Sequence, residues 1–457
     1  MSVSEFVGAG WRSAERVAAR AAAPDLATAG ADARVAPHVV GAAALAFAVR
    51  VALVIGMPAQ WHFDAYQRWA ARDALAVQVW LPGAQAVVAG SAAAGLDIAG
   101  MRIVQSAVAA LAVGLAVALA GRLGGARAAM CAYPLAVFGP FLTWSAVPYP
   151  ESTLLVGLLG GLLTVRRWPM VADLLVGSTA LVRYEAWPVV LGWVALRRTP
   201  RAAVAVWGAA LWAGLRAAGA LEPVAASPDS FADWEGMGGR WSAARLADLG
   251  TTLYYQSTGA GLPWLVPFAA LGLGRHVEGI ERRGLLLALA VQGAATVGWL
   301  AGLGRATSRM LVTPGVLLGV LAAVGLAGAL ARAGTRARAG AAVGLVALSV
   351  WSAADGVEDA ARYARMVGPE WRLLGWMQMC PADSWAIDPR PQPGPRMRHD
   401  GCEAIQGLSA LRAGTDFDCT PWGWGGPAPT LAATWDPRAH RYGVVRLGGT
   451  STVGCPW

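Results

Sequence analysis

Two acidic residues lie where long apolar runs of the sequence end, and arginines lie at similar positions. Asp64 lies in the segment QWHFDAYQRWA, and Glu151 lies in the turn SAVPYPEST. A carboxylate can accept a proton from a hydroxyl as a general base, and a guanidinium can hold a phosphate through two parallel hydrogen bonds. Such groups at a lipid boundary suit a donor whose phosphate lies at the headgroup level and whose tail lies in the bilayer.

Further polar and aromatic residues gather at the same predicted ends, in the segments LVRYEAWP, TTLYYQSTG and GRATSRM. Each has a structural alternative: the acids as helix caps, Arg183 with Glu185 as a local ion pair, and the aromatic residues as an interfacial belt. Together they favour a pocket, because ionisable groups against a membrane are costly unless paired or used. With Asp64 and Glu151 as candidate catalytic acids, the candidate substrate-binding residues are His62, Tyr66, Tyr149, Arg183, Glu185, Tyr254, Tyr255, Arg305 and Arg309.

The composition is that of a membrane protein. Of 457 residues, 56% are hydrophobic and 14% are charged, whereas a soluble domain carries about 25% charged residues. This excludes a soluble domain and a disordered chain. The net charge is +9, and all 37 basic residues are arginine. Arginines in short loops set membrane topology, so we interpret them in that way and exclude nucleic acid as a partner.

The apolar runs predict an all-α polytopic protein of about eleven transmembrane helices. Very short arginine-rich turns, such as RRW and RRTPR, alternate with turns that hold fewer arginines, which predicts a cytoplasmic N-terminus and an external C-terminus. The predicted spans are 39–57, 103–120, 128–145, 152–165, 170–182, 187–196, 202–220, 262–274, 285–302, 310–331 and 340–353.

The same pattern divides the chain into a cytoplasmic tail over 1–38, a transmembrane domain over 39–353 with external loops at 58–101 and 221–261, and an extracytoplasmic domain over 354–457. The two loops are expected to carry helices on the membrane surface. Four of the five cysteines lie in the last domain, which predicts two disulfides of undetermined pairing. Zinc is the alternative, although no CxxC spacing supports it. These cysteines are Cys380, Cys402, Cys419 and Cys455.

Several segments resemble the GT-C superfamily of multi-span glycosyltransferases, which use polyprenyl-phosphate sugars. HFDAYQRW is similar to the acidic first external loop of that superfamily, and PFLTWSAVPYPESTLLVGLL to an outer-loop motif of its GPI mannosyltransferase branch. LVRYEAWP and WLPGAQAVVAG resemble segments of bacterial members of the superfamily, in the branch that is similar to glycosyltransferase family 39. GRATSRMLVTPG resembles a late arginine-rich turn, with Met310 where an aromatic residue is usual. The resemblance covers about 40–330.

The resemblance implies a GT-C-like fold and an inverting transfer of a sugar, with mannose favoured by the PYPEST turn, from a polyprenyl-phosphate donor. The acceptor is a glycan, a glycolipid or a protein, and the site faces the outside of a bacterial inner membrane. It marks Asp64 as the general base. No cofactor is required. Whether a divalent metal takes part is left open, because the first loop has one Asp rather than a pair of acidic residues. The alternatives are a transporter or flippase of a lipid-linked sugar, and a scaffold or sensor.

Overall fold

The structure is a computed structural model that describes residues 26–57, 68, 81–218, 262–273, 279–303, 308–379, 432–436 and 441–445. Its α-helices are α1 (Leu26–Gly56), α2 (Pro82–Ala93), α3 (Ile98–Cys131), α4 (Gly139–Ser145), α5 (Glu151–Thr164), α6 (Pro169–Ser178), α7 (Trp187–Arg197), α8 (Trp207–Ala217), α9 (Leu262–Leu273), α10 (Ile280–Leu303), α11 (Val312–Arg332) and α12 (Thr335–Met379). Short 3-10 helices span Tyr133–Val137, Thr179–Leu181, Tyr184–Ala186, Pro200–Val206 and Ser308–Leu311.

The helical bundle confirms the predicted class of an apolar, helical membrane protein. Four of the described helical segments are long and apolar enough to cross a membrane, while two others are apolar but shorter. The four are Ala33–Gly56, Ile98–Cys131, Arg309–Arg332 and Thr335–Ala361. The predicted span 285–302 lies within the continuous helix α10, which has 24 residues. The remaining predicted spans correspond to short or interrupted helices, so the count of eleven stays a prediction.

Contacts between helix ends fall into two groups, which are joined by α3. Near its start, Arg102 donates to the backbone oxygens of Met57 and Ala146. Near its end, Arg122 forms an ion pair with Glu281. Arg102 and Arg122 are twenty positions apart, which corresponds to about 30 Å of helix and matches the hydrocarbon thickness of a bilayer. The helix ends therefore form two charged levels one membrane apart.

The predicted span 128–145 is not one helix. It consists of the last turn of α3 beyond a break at Gly125 (φ 74°), a 3-10 helix and α4. Arg50 of α1 is fully buried against this interruption, where its guanidinium donates to the backbone oxygens of Ala46 and Ala136 and to the Ser145 hydroxyl. Irregular backbone at membrane depth needs such internal donors, because lipid supplies none.

Small residues let neighbouring helices approach closely. A Cβ added at Gly325 of α11 would lie 1.9 Å from the backbone oxygen of Phe268 on α9. Only glycine fits this crossing, as is typical of helix packing in membranes.

The carboxyl-terminal segment begins within a long helix. Helix α12 continues to Met379, across the boundary that the sequence predicted at 353/354. Further on, β1 (Ala432–Asp436) pairs antiparallel with β2 (Arg441–Val445), with Thr434 opposite Gly443. The four cysteines of this segment lie outside the described residues, so the two disulfides stay predicted.

Candidate active site

Glu151 is the first residue of α5 and is almost fully buried, with 3% of its surface exposed. Pro148 and Pro150 hold the residues before them out of helical geometry, so the helix begins here. A carboxylate in the first turn is also favoured by the helix dipole. One carboxylate oxygen, Oε1, accepts hydrogen bonds from Nη1 of Arg183 and from Nε of Arg309, the latter at 2.9 Å.

Arg183 connects two carboxylates. Besides the bond to Glu151, it makes a bidentate pair with Glu185, with Nε 3.0 Å from Oε2 and Nη2 2.7 Å from Oε1. The predicted local ion pair between Arg183 and Glu185 is therefore present, and it is part of a larger cluster. Two arginines and two carboxylates meet here, and their formal charges cancel.

The second carboxylate oxygen of Glu151, Oε2, is buried and has no hydrogen-bond partner in the described part of the chain. Burying a carboxylate oxygen without a donor is costly, and such an atom in a native site needs an explanation. Both described hydrogen bonds to the Glu151 carboxylate come from arginines of other segments. The alternative in which Glu151 only caps its helix does not explain these two bonds. This oxygen can accept a further hydrogen bond.

Tyr149, a candidate substrate-binding residue, is buried, with 2% of its surface exposed. Its ring supports Arg309, whose Cζ lies 4.0 Å from the ring centroid, and it packs edge-on against Trp144 at 5.4 Å. A cation above an aromatic face is attracted to it. Tyr149 therefore orients the arginine that binds Glu151.

Helix α10 contributes residues that sequence reasoning missed. Gln292 donates from Nε2 to the backbone oxygen of Glu185 at 3.0 Å, and the Thr296 hydroxyl donates to the backbone oxygen of Met310 at 3.0 Å. Two polar residues four positions apart on an apolar helix share one face, and that spacing was the available signal. A small cavity is lined by Glu151, Arg183, Glu185, Gln292, Ala295, Thr296, Arg309, Met310 and Thr313.

Arg102 lies between the predicted external loop 58–101 and the predicted span 103–120. The structure buries it, with 1% of its surface exposed. It donates from Nε to the backbone oxygen of Ala146 at 2.9 Å and from Nη1 to that of Met57 at 3.0 Å. Met57 precedes the loop that contains Asp64, and Ala146 precedes Glu151, so Arg102 joins the two segments that carry the predicted acids.

The other predicted site residues, namely Asp64, His62, Tyr66, Tyr254, Tyr255 and Arg305, lie outside the described residues. Within the described part of the chain, ion pairs join four of the predicted residues, Glu151, Arg183, Glu185 and Arg309. A fifth, Tyr149, lies against Arg309.

Comparisons with known proteins place the fold. No family model matches the sequence, and no curated protein matches it. Two solved structures are similar: ArnT from Cupriavidus metallidurans in the apo state, at 13% identity and a TM-score of 0.51, and the same protein bound to undecaprenyl phosphate, at 14% and 0.54. Each match covers 88% of this chain and 93% of the ArnT chain. The chain therefore shares the fold of ArnT over most of its length.

Proposed function

We propose that this protein is an integral membrane glycosyltransferase that transfers a sugar from a polyprenyl-phosphate donor to an acceptor hydroxyl, with inversion at the anomeric carbon. The observation that carries the proposal is the buried Glu151 carboxylate, with one oxygen bound by Arg183 and Arg309 and the other facing no described donor. The fold likeness to ArnT bound to undecaprenyl phosphate supports the class of donor.

The cluster suits a donor at the membrane surface. It lies at the level of Arg102, and the arginine pair with Glu281 lies at the other level, about 30 Å away along α3. A lipid-linked phosphate at the first level would leave its apolar tail beside the helices. This is the geometry expected when a headgroup reacts while its chain stays in the bilayer.

In the proposed reaction, the acceptor oxygen attacks the anomeric carbon from the side opposite the phosphate. The new carbon–oxygen bond forms as the bond to the phosphate oxygen breaks, and that oxygen keeps the electron pair. The acceptor proton passes to a carboxylate acting as general base. Because polyprenyl phosphate is already a good leaving group, no covalent sugar–enzyme intermediate is required.

We assign the base to Asp64, which follows the first span, and the positioning of the acceptor hydroxyl to Glu151 through Oε2. His62 is the alternative base, since an imidazole titrates near neutral pH. Three nitrogens of Arg183 already donate to carboxylates. We therefore assign the donor phosphate to Arg309, together with Arg305, rather than to Arg183.

The finer features follow the sequence resemblance. Mannose is the proposed sugar because of the PYPEST turn, and the branches that the sequence resembles, those of the GPI mannosyltransferases and of bacterial family 39, remain part of the proposal. The acceptor is a glycan, glycolipid or protein. We place the N-terminus in the cytoplasm of a bacterial cell, and the site and the carboxyl-terminal segment outside its inner membrane.

The test uses purified full-length protein with polyprenyl-phosphate sugars and measures release of polyprenyl phosphate. The wild type should turn over, and D64N should lower turnover by about 10²–10⁴-fold while donor binding persists. The matched control is D97N. Asp97 is an acid that accepts a hydrogen bond from the backbone nitrogen of Gly100 at 2.8 Å and caps α3, and asparagine caps a helix equally well.

Other outcomes would redirect the proposal. Wild-type turnover in D64N would remove Asp64 from the base role and make Glu151 the leading candidate. Movement of a lipid-linked sugar across liposomes without transfer would favour the transporter alternative. A protein that neither transfers nor moves such donors, and that tolerates alanine at both acids, would be a scaffold or sensor.

A further inference from the structure

The end of the bundle opposite the candidate site carries its own charged cluster. Glu281, in the first turn of α10, is fully buried. Its Oε1 lies 3.2 Å from Nε of Arg122, and its Oε2 accepts from Nη2 of Arg166 at 2.9 Å. Arg122 also donates to the backbone oxygen of Leu163 at 3.3 Å. One buried acid therefore joins the ends of α3, α5 and α10.

Positive charge at this end exceeds what that acid can neutralise. Among the acids whose side chains the structure describes, Glu281 lies in this cluster, and Asp173 is already bound by Trp193 and Arg197. The Arg166 side chain stays 57% exposed despite its ion pair. The neighbouring Arg167 is also exposed, and the described residues give it no carboxylate partner.

The same turn faces lipid. Trp168 is 53% exposed and Met170 is 65% exposed, at the start of a helix with an apolar sequence. The Arg167 guanidinium lies 4.9 Å from the centroid of the Trp168 ring. Tryptophan is enriched at membrane interfaces, with its ring at the headgroup level. Two exposed cations thus stand directly beside exposed apolar side chains.

We propose that this turn binds an anionic phospholipid, with Arg166 and Arg167 holding the headgroup phosphate and with Trp168 and Met170 against the first part of the acyl chain. Guanidinium groups hold phosphate oxygens bidentately, and basic pockets between membrane helices bind anionic headgroups. Because Arg166 also binds Glu281, the bound lipid would stabilise the start of α10. The proposal is independent of the enzymatic one.

The experiment measures lipid retention by native mass spectrometry and thermal unfolding in nanodiscs, with phosphatidylglycerol and phosphatidylcholine as probes. Wild type should retain phosphatidylglycerol preferentially and unfold at a higher temperature with it. R166Q/R167Q should lower the affinity for phosphatidylglycerol by about tenfold or more. The matched control is R332Q/R336Q, which removes the same charge from two exposed positions of α11 and α12 and should change the affinity little.

Three results would overturn the proposal. Equal loss in the two double variants would show a diffuse attraction between the arginine-rich face and any anionic membrane. The absence of a preference in wild type would remove the site. Displacement of the lipid by soluble glycerol 3-phosphate would indicate a site for free phosphates. If R166Q/R167Q does not fold, R167Q alone gives the same test, because Arg167 makes no described contact with Glu281.

Discussion

Replacing Arg183 by glutamine tests whether this arginine organises the two carboxylates or binds the donor phosphate. R183Q removes the cation between Glu151 and Glu185, whose carboxylates are 4% and 13% exposed as side chains. Arg309 then remains as the described cation beside Glu151. Glu151 and Glu185 then lose one of the two arginines that neutralise their charges.

The expected cost follows from burial. Removing one partner of a buried ion pair costs about 3–5 kcal/mol, because it leaves an uncompensated charge. The Arg183 side chain is 18% exposed, so water screens part of the effect and we expect the lower end of the range, about 3 kcal/mol. R183Q/E185Q removes one charge of each sign and leaves Glu151 with Arg309, so more than half of the lost stability should return.

The assay is unfolding of the purified protein in one detergent, together with titration of polyprenyl phosphate into each variant. We expect R183Q to be destabilised, the double variant to recover, and lipid affinity in the double variant to lie near that of wild type. Equal destabilisation in the single and double variants would refute the interpretation that Arg183 stabilises the protein by neutralising both Glu151 and Glu185. A loss of phosphate affinity in both, at unchanged stability, would instead make Arg183 the phosphate ligand.

Three further changes test other parts of the structure. E151Q keeps the shape of the side chain but weakens its bonds to two arginines, and steady-state kinetics should show turnover reduced by about 10²-fold or more. R102Q leaves two buried carbonyl oxygens without their donor, which should lower unfolding stability by about 2 kcal/mol and turnover more than donor affinity. G325A should destabilise the protein in the same unfolding assay, because a Cβ there would lie 1.9 Å from a backbone oxygen, whereas G340A, with open space around its Cβ, should not.

Much of the architecture could be predicted because apolar runs and arginine-rich turns report membrane crossing directly. The pattern placed Glu151, Arg183, Glu185 and Arg309 at one level, and the structure joins them in one cluster. The RRW turn, which contains Arg166, was placed on the other side, and there Arg166 and Arg122 bind one acid, Glu281.

The partners of these residues could not be predicted, because hydropathy gives the depth of a residue but not the direction of its side chain. Gln292 and Thr296 reach the site through the rotation of α10, which depends on its packing against neighbouring helices. Tyr149 lies in the expected turn, yet its ring packs inward under Arg309. The sequence does not show this contact, because it depends on the direction in which the ring points.

Two buried arginines, Arg50 and Arg102, stabilise irregular backbone next to the candidate site. Arg50 donates to the backbone oxygen of Ala136 and to the side-chain hydroxyl of Ser145, on the two sides of the break between the 3-10 helix and α4. Arg102 does the same for Ala146, at the start of the turn that leads to Glu151. In lipid such carbonyl oxygens would be unsatisfied, so a continuous helix would be the default. With guanidinium donors in place, the chain can leave helical geometry inside the bundle and begin a new helix with Glu151, facing Arg183 and Arg309. The contacts of Arg50 and Arg102 therefore show that both arginines support the backbone next to the cluster.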